Sequence, residues 1–147
     1  EGDMETAIFH HEKAIEICPS DTFHIARYAV LLCYLGEPER GLDEIERAMR
    51  IDPFCSDLLF ETQGLCFYLL DRYDNAITSF KKMQIETRTS LFYQASSYLE
   101  LGEPGKAKNH LNLAMAESDM SIEKFVSTQL FQNEDRRTSL SSSLNSI

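Results

Sequence analysis

Two prolines 34 residues apart close similar phrases, Ala14-Ile15-Glu16-Ile17-Cys18-Pro19 and Ala48-Met49-Arg50-Ile51-Asp52-Pro53. Small residues recur upstream in the same slot, Ala7 and Gly41, and the series continues with Ala76 and Ala107. Turn phrases recur as well: Gly2-Asp3-Met4-Glu5, Gly36-Glu37-Pro38-Glu39, Asp71-Arg72-Tyr73-Asp74 and Gly102-Glu103-Pro104-Gly105. A chain that repeats at this period builds stacked supersecondary units, because one unit alone cannot bury its apolar face.

Between the marks, apolar residues fall at helical spacing with little strand character. Gly suits the left-handed residue just past a helix end, and Pro suits the first helical position, whose amide has no partner to lose. The spacing predicts helices near 4–17, 22–35, 38–51, 57–70, 73–85, 89–101 and 104–116. The fourth small position, Ala107, arrives 31 residues after the third, Ala76, so the loop near 85–88 is expected to be short and the stack locally irregular.

These residues resemble the tetratricopeptide repeat family. The clearest copy runs through Tyr28, Ala29, Gly36, Pro38, Gly41, Ile45, Ala48 and Pro53. A second offers Gly64, Phe67, Asp71, Tyr73, Ala76, Phe80 and Met83, and a third Ala95, Tyr98, Gly102, Pro104, Ala107, Leu111 and Ala114. The front copy is half present, through Gly2, Ala7, His11, Ala14 and Pro19. The resemblance implies an all-α solenoid of tetratricopeptide helical hairpins over 1–131: a half repeat 2–21, repeats 22–55, 56–87 and 88–118, and a C-terminal capping helix 121–131. Ser121 precedes that helix as a cap, with Ile122, Phe125, Val126 and Leu130 as its apolar face. The Ser-rich end, 132–147, reads as a short helix or a frayed tail.

The resemblance further implies a protein-interaction scaffold, with the first helix of each hairpin lining a concave groove. The expected partner-groove positions are Phe23, Arg27, Val30 and Tyr34, then Leu58, Glu61, Leu65 and Tyr68, then Phe92 and Ser96. Some family members clamp a chaperone's terminal carboxylate with Lys, Asn and Arg; the matching slots here hold Ala26, Val30, Glu61 and Leu65, so that ligand is not expected. The runs 52–64, 70–77 and 131–144 also resemble the C-terminal tetratricopeptide region of bacterial adenylate/guanylate cyclases and related signalling proteins. That second resemblance implies a regulatory, non-catalytic segment.

Catalytic and metal chemistry find little footing. The densest acids, Glu37, Glu39, Asp43, Glu44 and Glu46, alternate with Arg40, Arg47 and Arg50 as on a solvated helix face. His10 and His11 point about 100° apart on a helix, and neither His24 nor His110 completes a ligand spacing. Cys18, Cys33, Cys55 and Cys66 match neither a zinc pattern nor a redox dithiol, and read as small apolar side chains in a cytoplasmic protein. No catalytic residue, cofactor or metal is expected.

Charge narrows the partners. The chain of 147 residues carries 24 acids against 14 bases, and residues 1–55 alone hold 12 acids and 5 bases. Such an excess repels phosphate backbones, which disfavours nucleic acid. The longest apolar run, Tyr28 to Leu35, is far below the ~20 residues that cross a bilayer, so no membrane association is expected. The pattern begins mid-repeat at Glu1, which reads as a piece of a longer protein whose first helix has an unpaired apolar face and favours a homodimer through it.

Overall fold

The computed structural model describes residues 2–116 and 120–147, and among these every regular element is a helix. They are α1 (Gly2–Ile17), α2 (Thr22–Tyr34), α3 (Pro38–Ile51), α4 (Asp57–Leu69), α5 (Tyr73–Phe80), α6 (Arg88–Glu100), α7 (Pro104–Met115), α8 (Ile122–Thr128) and α9 (Glu134–Asn145). The end of the third repeat, 117–118, lies outside the described residues.

The recurrent turn phrase is one piece of geometry used three times. Glu37 N–H donates to Leu32 C=O, Arg72 N–H to Phe67 C=O and Glu103 N–H to Tyr98 C=O, each at 2.9 Å and each closing a helix C-terminus in the Schellman manner. The residue before each donor is left-handed: Gly36 (φ 85°), Asp71 (φ 57°) and Gly102 (φ 74°). Pro38 and Pro104 then start α3 and α7 at the position that needs no amide. Side-chain caps open other helices, with Asp21 accepting from His24 N–H, Thr87 from Ser90 N–H and Ser121 from Lys124 N–H.

Hairpins α2/α3, α4/α5 and α6/α7 pack in sequence behind the half repeat α1, while α2, α4 and α6 also touch in series and form an inner layer. Small residues permit the crossings. Ala29, Ala48, Ala76 and Ala107 are fully buried. A methyl on Gly41 would sit 3.0 Å from the Ala29 carbonyl oxygen and 3.2 and 3.3 Å from the Cys33 and Cys66 sulfurs. Those two thiols face each other at 3.4 Å in the core between α2 and α4.

Three boundaries differ from those expected. The helix expected over 73–85 ends at Phe80, because the Asp57 carboxylate accepts the amides of Gln84 (2.8 Å) and Ile85 (3.0 Å) and holds that stretch out of the helix. Met83 still turns inward and is buried. The capping helix expected over 121–131 stops at Thr128, and Leu130, placed on its apolar face, is 62% exposed. The 132–147 tail is helix α9, capped by Asn133 and anchored in the core by Leu140 and Leu144. It belongs to the same packed body as the repeats.

Candidate functional site

The inner layer has an open end and a filled end. At the open end, Phe23 is 58% exposed and Arg27 is exposed one turn later, with Val30 half-buried. Phe9 on α1 is 55% exposed. His10 and His11 of α1 meet His24 of α2 around a hollow of about 210 Å³ floored by Ala7 and Ala14. Burial, then the charges of His24, Arg27 and His10, lowers the His11 pKa, so its ring is neutral at pH 7. Spacing along α1 did not reveal that His24 joins this pair. Among the described residues no group of three His, Cys, Asp or Glu side chains is arranged to hold a metal.

From Tyr34 onward, the chain's own C-terminal segment covers the inner layer. The Phe125 ring of α8 stacks on Phe92 of α6, with centroids 4.1 Å apart and planes 13° from parallel. Gln129 follows one turn later, its side-chain carbonyl accepting from the Tyr93 hydroxyl at 2.7 Å and the Tyr34 hydroxyl at 3.4 Å. Burial raises the pKa of both phenols and keeps them protonated donors. Backbone pairing adds a third tie, Gln132 N–H to Tyr34 C=O at 2.8 Å, and the Phe131 ring meets Tyr34 edge-on at 5.3 Å. Farther along, Ser143 of α9 shares a 2.8 Å hydrogen bond with Ser96, which in turn bonds the Tyr68 hydroxyl at 3.0 Å. Burial pushes the Tyr68 phenol up to about 12.

Across the hairpin turns, Arg136 donates to Asp71 at 2.8 Å and forms an ion pair that lowers the Asp71 pKa. Arg137 donates to the Gln129 and Phe131 carbonyls, though its Nε is buried without a partner. A cleft of about 330 Å³ remains where the segment crosses the turns, lined by Tyr34, Leu69, Asp71, Phe131 and Arg136 among others.

The ten expected groove residues therefore divide. Phe23 and Arg27 are exposed, whereas Val30 and Leu58 are half-buried. Glu61 is half-buried and hydrogen-bonded to Thr87; burial raises its pKa, and Asp57 adds to the effect. Tyr34 lies under Phe131 and Gln129. Leu65, Tyr68, Phe92 and Ser96 are buried, so as the chain stands these four do not form an open surface. Phe92 lies under Phe125 of α8 and Ser96 against Ser143 of α9, while Tyr68 packs on Tyr93 of α6 and hydrogen-bonds Ser96. Sequence reasoning passed over Tyr93 and Gln129, the hydrogen-bonded pair at the centre of that cover. The signal was polar: an amide one turn after Phe125, in a segment otherwise read through its apolar residues.

The expected acidic helix face is a row of neighbour ion pairs, Arg40 with Glu37 and Arg47 with Glu44. No helix among the described residues is long and apolar enough to cross a membrane. Elsewhere, Ile17, Ile51, Phe54 and Ile85 are exposed at or just beyond the ends of second helices.

No protein-family model matches the chain, and no curated protein matches its sequence. Among solved structures it is similar to the crystal structure of MamA, with a TM-score of 0.69 and 15% identity over 98% of this chain and 86% of that one. At that identity the likeness bears on the fold alone. Over the described residues the chain is an all-α solenoid of tetratricopeptide-type hairpins with a helical C-terminal closure.

Proposed function

We propose that this chain is a non-catalytic protein-interaction module that takes a protein or peptide partner on its inner layer. The observation that carries this reading is the contrast along one row of first-helix positions. Phe92 and Ser96 are covered, while Phe23 and Arg27, at the same face of α2, stand open. An open aromatic side chain beside a cation on the inner layer of a helical-repeat stack offers an anchor for a partner. The acid excess of residues 1–55 disfavours nucleic acid and favours a partner with basic character. A second copy of the chain, docked through α1, belongs to the same reading. Free thiols at Cys33 and Cys66 suit a reducing, cytoplasmic setting.

The test places a photo-crosslinking phenylalanine analogue at position 23 and, as a control, at exposed Lys108 on the outer helix α7. Discrete protein adducts at 23 and none at 108 are expected. Equal labelling at both positions, or none at either, overturns the reading. The narrower bacterial cyclase reading rests on the resemblance of residues 52–64, 70–77 and 131–144. A catalytic domain encoded before Glu1 supports it, and an uninterrupted run of further repeats overturns it.

A further inference from the structure

The covered end of the inner layer carries the next step, which rests on the interaction-module reading and names its ligand chemistry. We propose that the groove formed by α2, α4 and α6 is a binding site for a helix–linker–helix protein segment of the pattern Phe-x3-Gln-x-Phe-x4-Arg, filled in this chain by Phe125, Gln129, Phe131 and Arg136, and that a partner segment of this pattern displaces residues 120–147.

Each element of the pattern has its receiver. Phe92 takes the first ring face to face. The two tyrosine hydroxyls of Tyr34 and Tyr93 converge on one amide oxygen, and a lone carbonyl between two phenol donors is a specific polar key in an apolar groove. Tyr34 takes the second ring, and Asp71 the cation. None of these receivers depends on the covalent connection between the segment and α7, so the same chemistry supplied by another chain meets the same surface.

The segment is also built to let go. Helix α8 has seven residues and α9 is Glu-Asp-Arg-Arg-Thr-Ser-Leu-Ser-Ser-Ser-Leu-Asn, rich in weak helix formers and holding two leucines as its apolar anchors. Helices this short do not persist in water without the surface they rest on. Leu130 remains 62% exposed and Arg137 Nε buried without a partner, so the closure leaves part of its own interaction potential unused. The whole segment docks through five buried apolar side chains, Phe125, Val126, Phe131, Leu140 and Leu144, a terminal unit that opens locally below the free energy of global unfolding. Once open, it uncovers Tyr68, Phe92 and Tyr93, an aromatic floor that needs an occupant. A tethered segment competes at an effective concentration on the order of millimolar, so a free peptide at micromolar concentration is excluded until the tether's grip is weakened.

The experiment uses the full chain in two arms. In hydrogen exchange on the wild-type protein, the amides of α8 and α9 are expected to exchange at least ~100-fold faster than those of α4 and α6. Equal protection overturns the proposal. In the second arm, a labelled peptide of residues 120–147 is titrated by fluorescence anisotropy into the chain carrying Phe125→Ala and Gln129→Ala. Binding at least ~10-fold tighter than to wild type is expected, as is loss of binding when the peptide carries the same two alanines. A folded variant that takes the peptide no better than wild type, or takes both peptides equally, overturns the proposal. Should the double variant fail to fold, the exchange arm decides. Adducts at position 23 that persist while the segment stays closed would leave the interaction module standing and remove only this ligand assignment.

Discussion

Phe125 lies face to face with Phe92, 4.1 Å between centroids, so a side chain from the C-terminal segment covers this inner-layer position of the third repeat. Tyr93, the next residue on α6, holds Gln129 at 2.7 Å. These two contacts divide the inner layer into a closed half under α8 and α9 and an open half around Phe23. Under the proposed interaction function, the C-terminal segment would set the capacity of the inner layer as much as the repeats do.

The same division predicts unequal costs for two buried phenylalanines. Phe80 is sealed between α4 and α6 and stacks on Tyr93 at 6.5 Å, so Phe80→Ala leaves a cavity inside the repeats and is expected to cost about 3–5 kcal/mol. Phe125→Ala loses a comparable area, but its cost is capped by the free energy that docks the segment, about 1–3 kcal/mol. Chemical denaturation of the two variants checks this. A Phe125→Ala cost equal to that of Phe80→Ala would show that the segment unfolds only with the whole.

Helix glycines offer a test in which the sign itself is predicted. Glycine in a helix gains about 0.5–1 kcal/mol on replacement by alanine where the site is free. A methyl on Gly105, in the first turn of α7, meets nothing within 4 Å, so Gly105→Ala should raise the melting temperature. On Gly64 the methyl would overlap the Phe80 ring, which is fully buried and has nowhere to go. Gly64→Ala should lower stability by about 1–3 kcal/mol. Thermal melts of both variants decide it; equal signs would mean the α4/α5 crossing is looser than its geometry.

Much of this architecture was legible in the residues, because turn chemistry and close crossings leave single-residue signatures. Gly36 and Gly102 mark left-handed turns, Pro38 and Pro104 mark helix starts, and the small series Gly41, Ala76, Ala107 marks crossings, so α2, α3, α4, α6 and α7 fall within two residues of their expected bounds. The short α5 was half visible as the 31-residue step, though its cause was not, since Asp57 lies 27 residues before the amide of Gln84 that it binds. The groove positions were legible as positions on helices and illegible as a surface. What covers them is a seven-residue helix carrying Phe125, the linker residue Gln129 and a Ser-rich helix with two leucines, and neither periodicity nor composition says where a polar anchor such as Gln129 will find its hydroxyls.

Thiol chemistry should read out the layers directly. Cys18 is exposed and Cys55 half-buried, whereas Cys33 and Cys66 are buried against each other. The neighbouring Cys33 thiol, and then burial, push the Cys66 pKa far upward, which removes its reactive thiolate. In the native protein a maleimide should label Cys18 first and Cys55 more slowly, with Cys33 and Cys66 labelled only when denaturant unfolds the chain. Mass spectrometry of the peptides gives the order, and early labelling of Cys66 would contradict the packed α2/α4 crossing.

The Asp71–Arg136 pair gives the closure a pH dependence whose sign follows from its geometry. The hydrogen bond from Arg136 holds the Asp71 carboxyl below its usual range, and the Tyr73 hydroxyl adds to this. A carboxyl with a lowered folded pKa stabilises fully above its unfolded value, near 4, and loses that contribution as pH falls through the folded value. Both partners are more than a third exposed, so the contribution is about 0.2–1 kcal/mol. Asp71→Asn is the clean probe, because Asn also tolerates the left-handed backbone at this turn (φ 57°) and removes only the charge. At pH 7 the variant should be less stable by that amount, with faster amide exchange in α9. The difference should shrink toward zero as the wild-type carboxylate is protonated below pH ~4. A deficit that persists unchanged at pH 3 would assign the effect to turn geometry, and the ion pair would then contribute nothing to holding α9 over the groove.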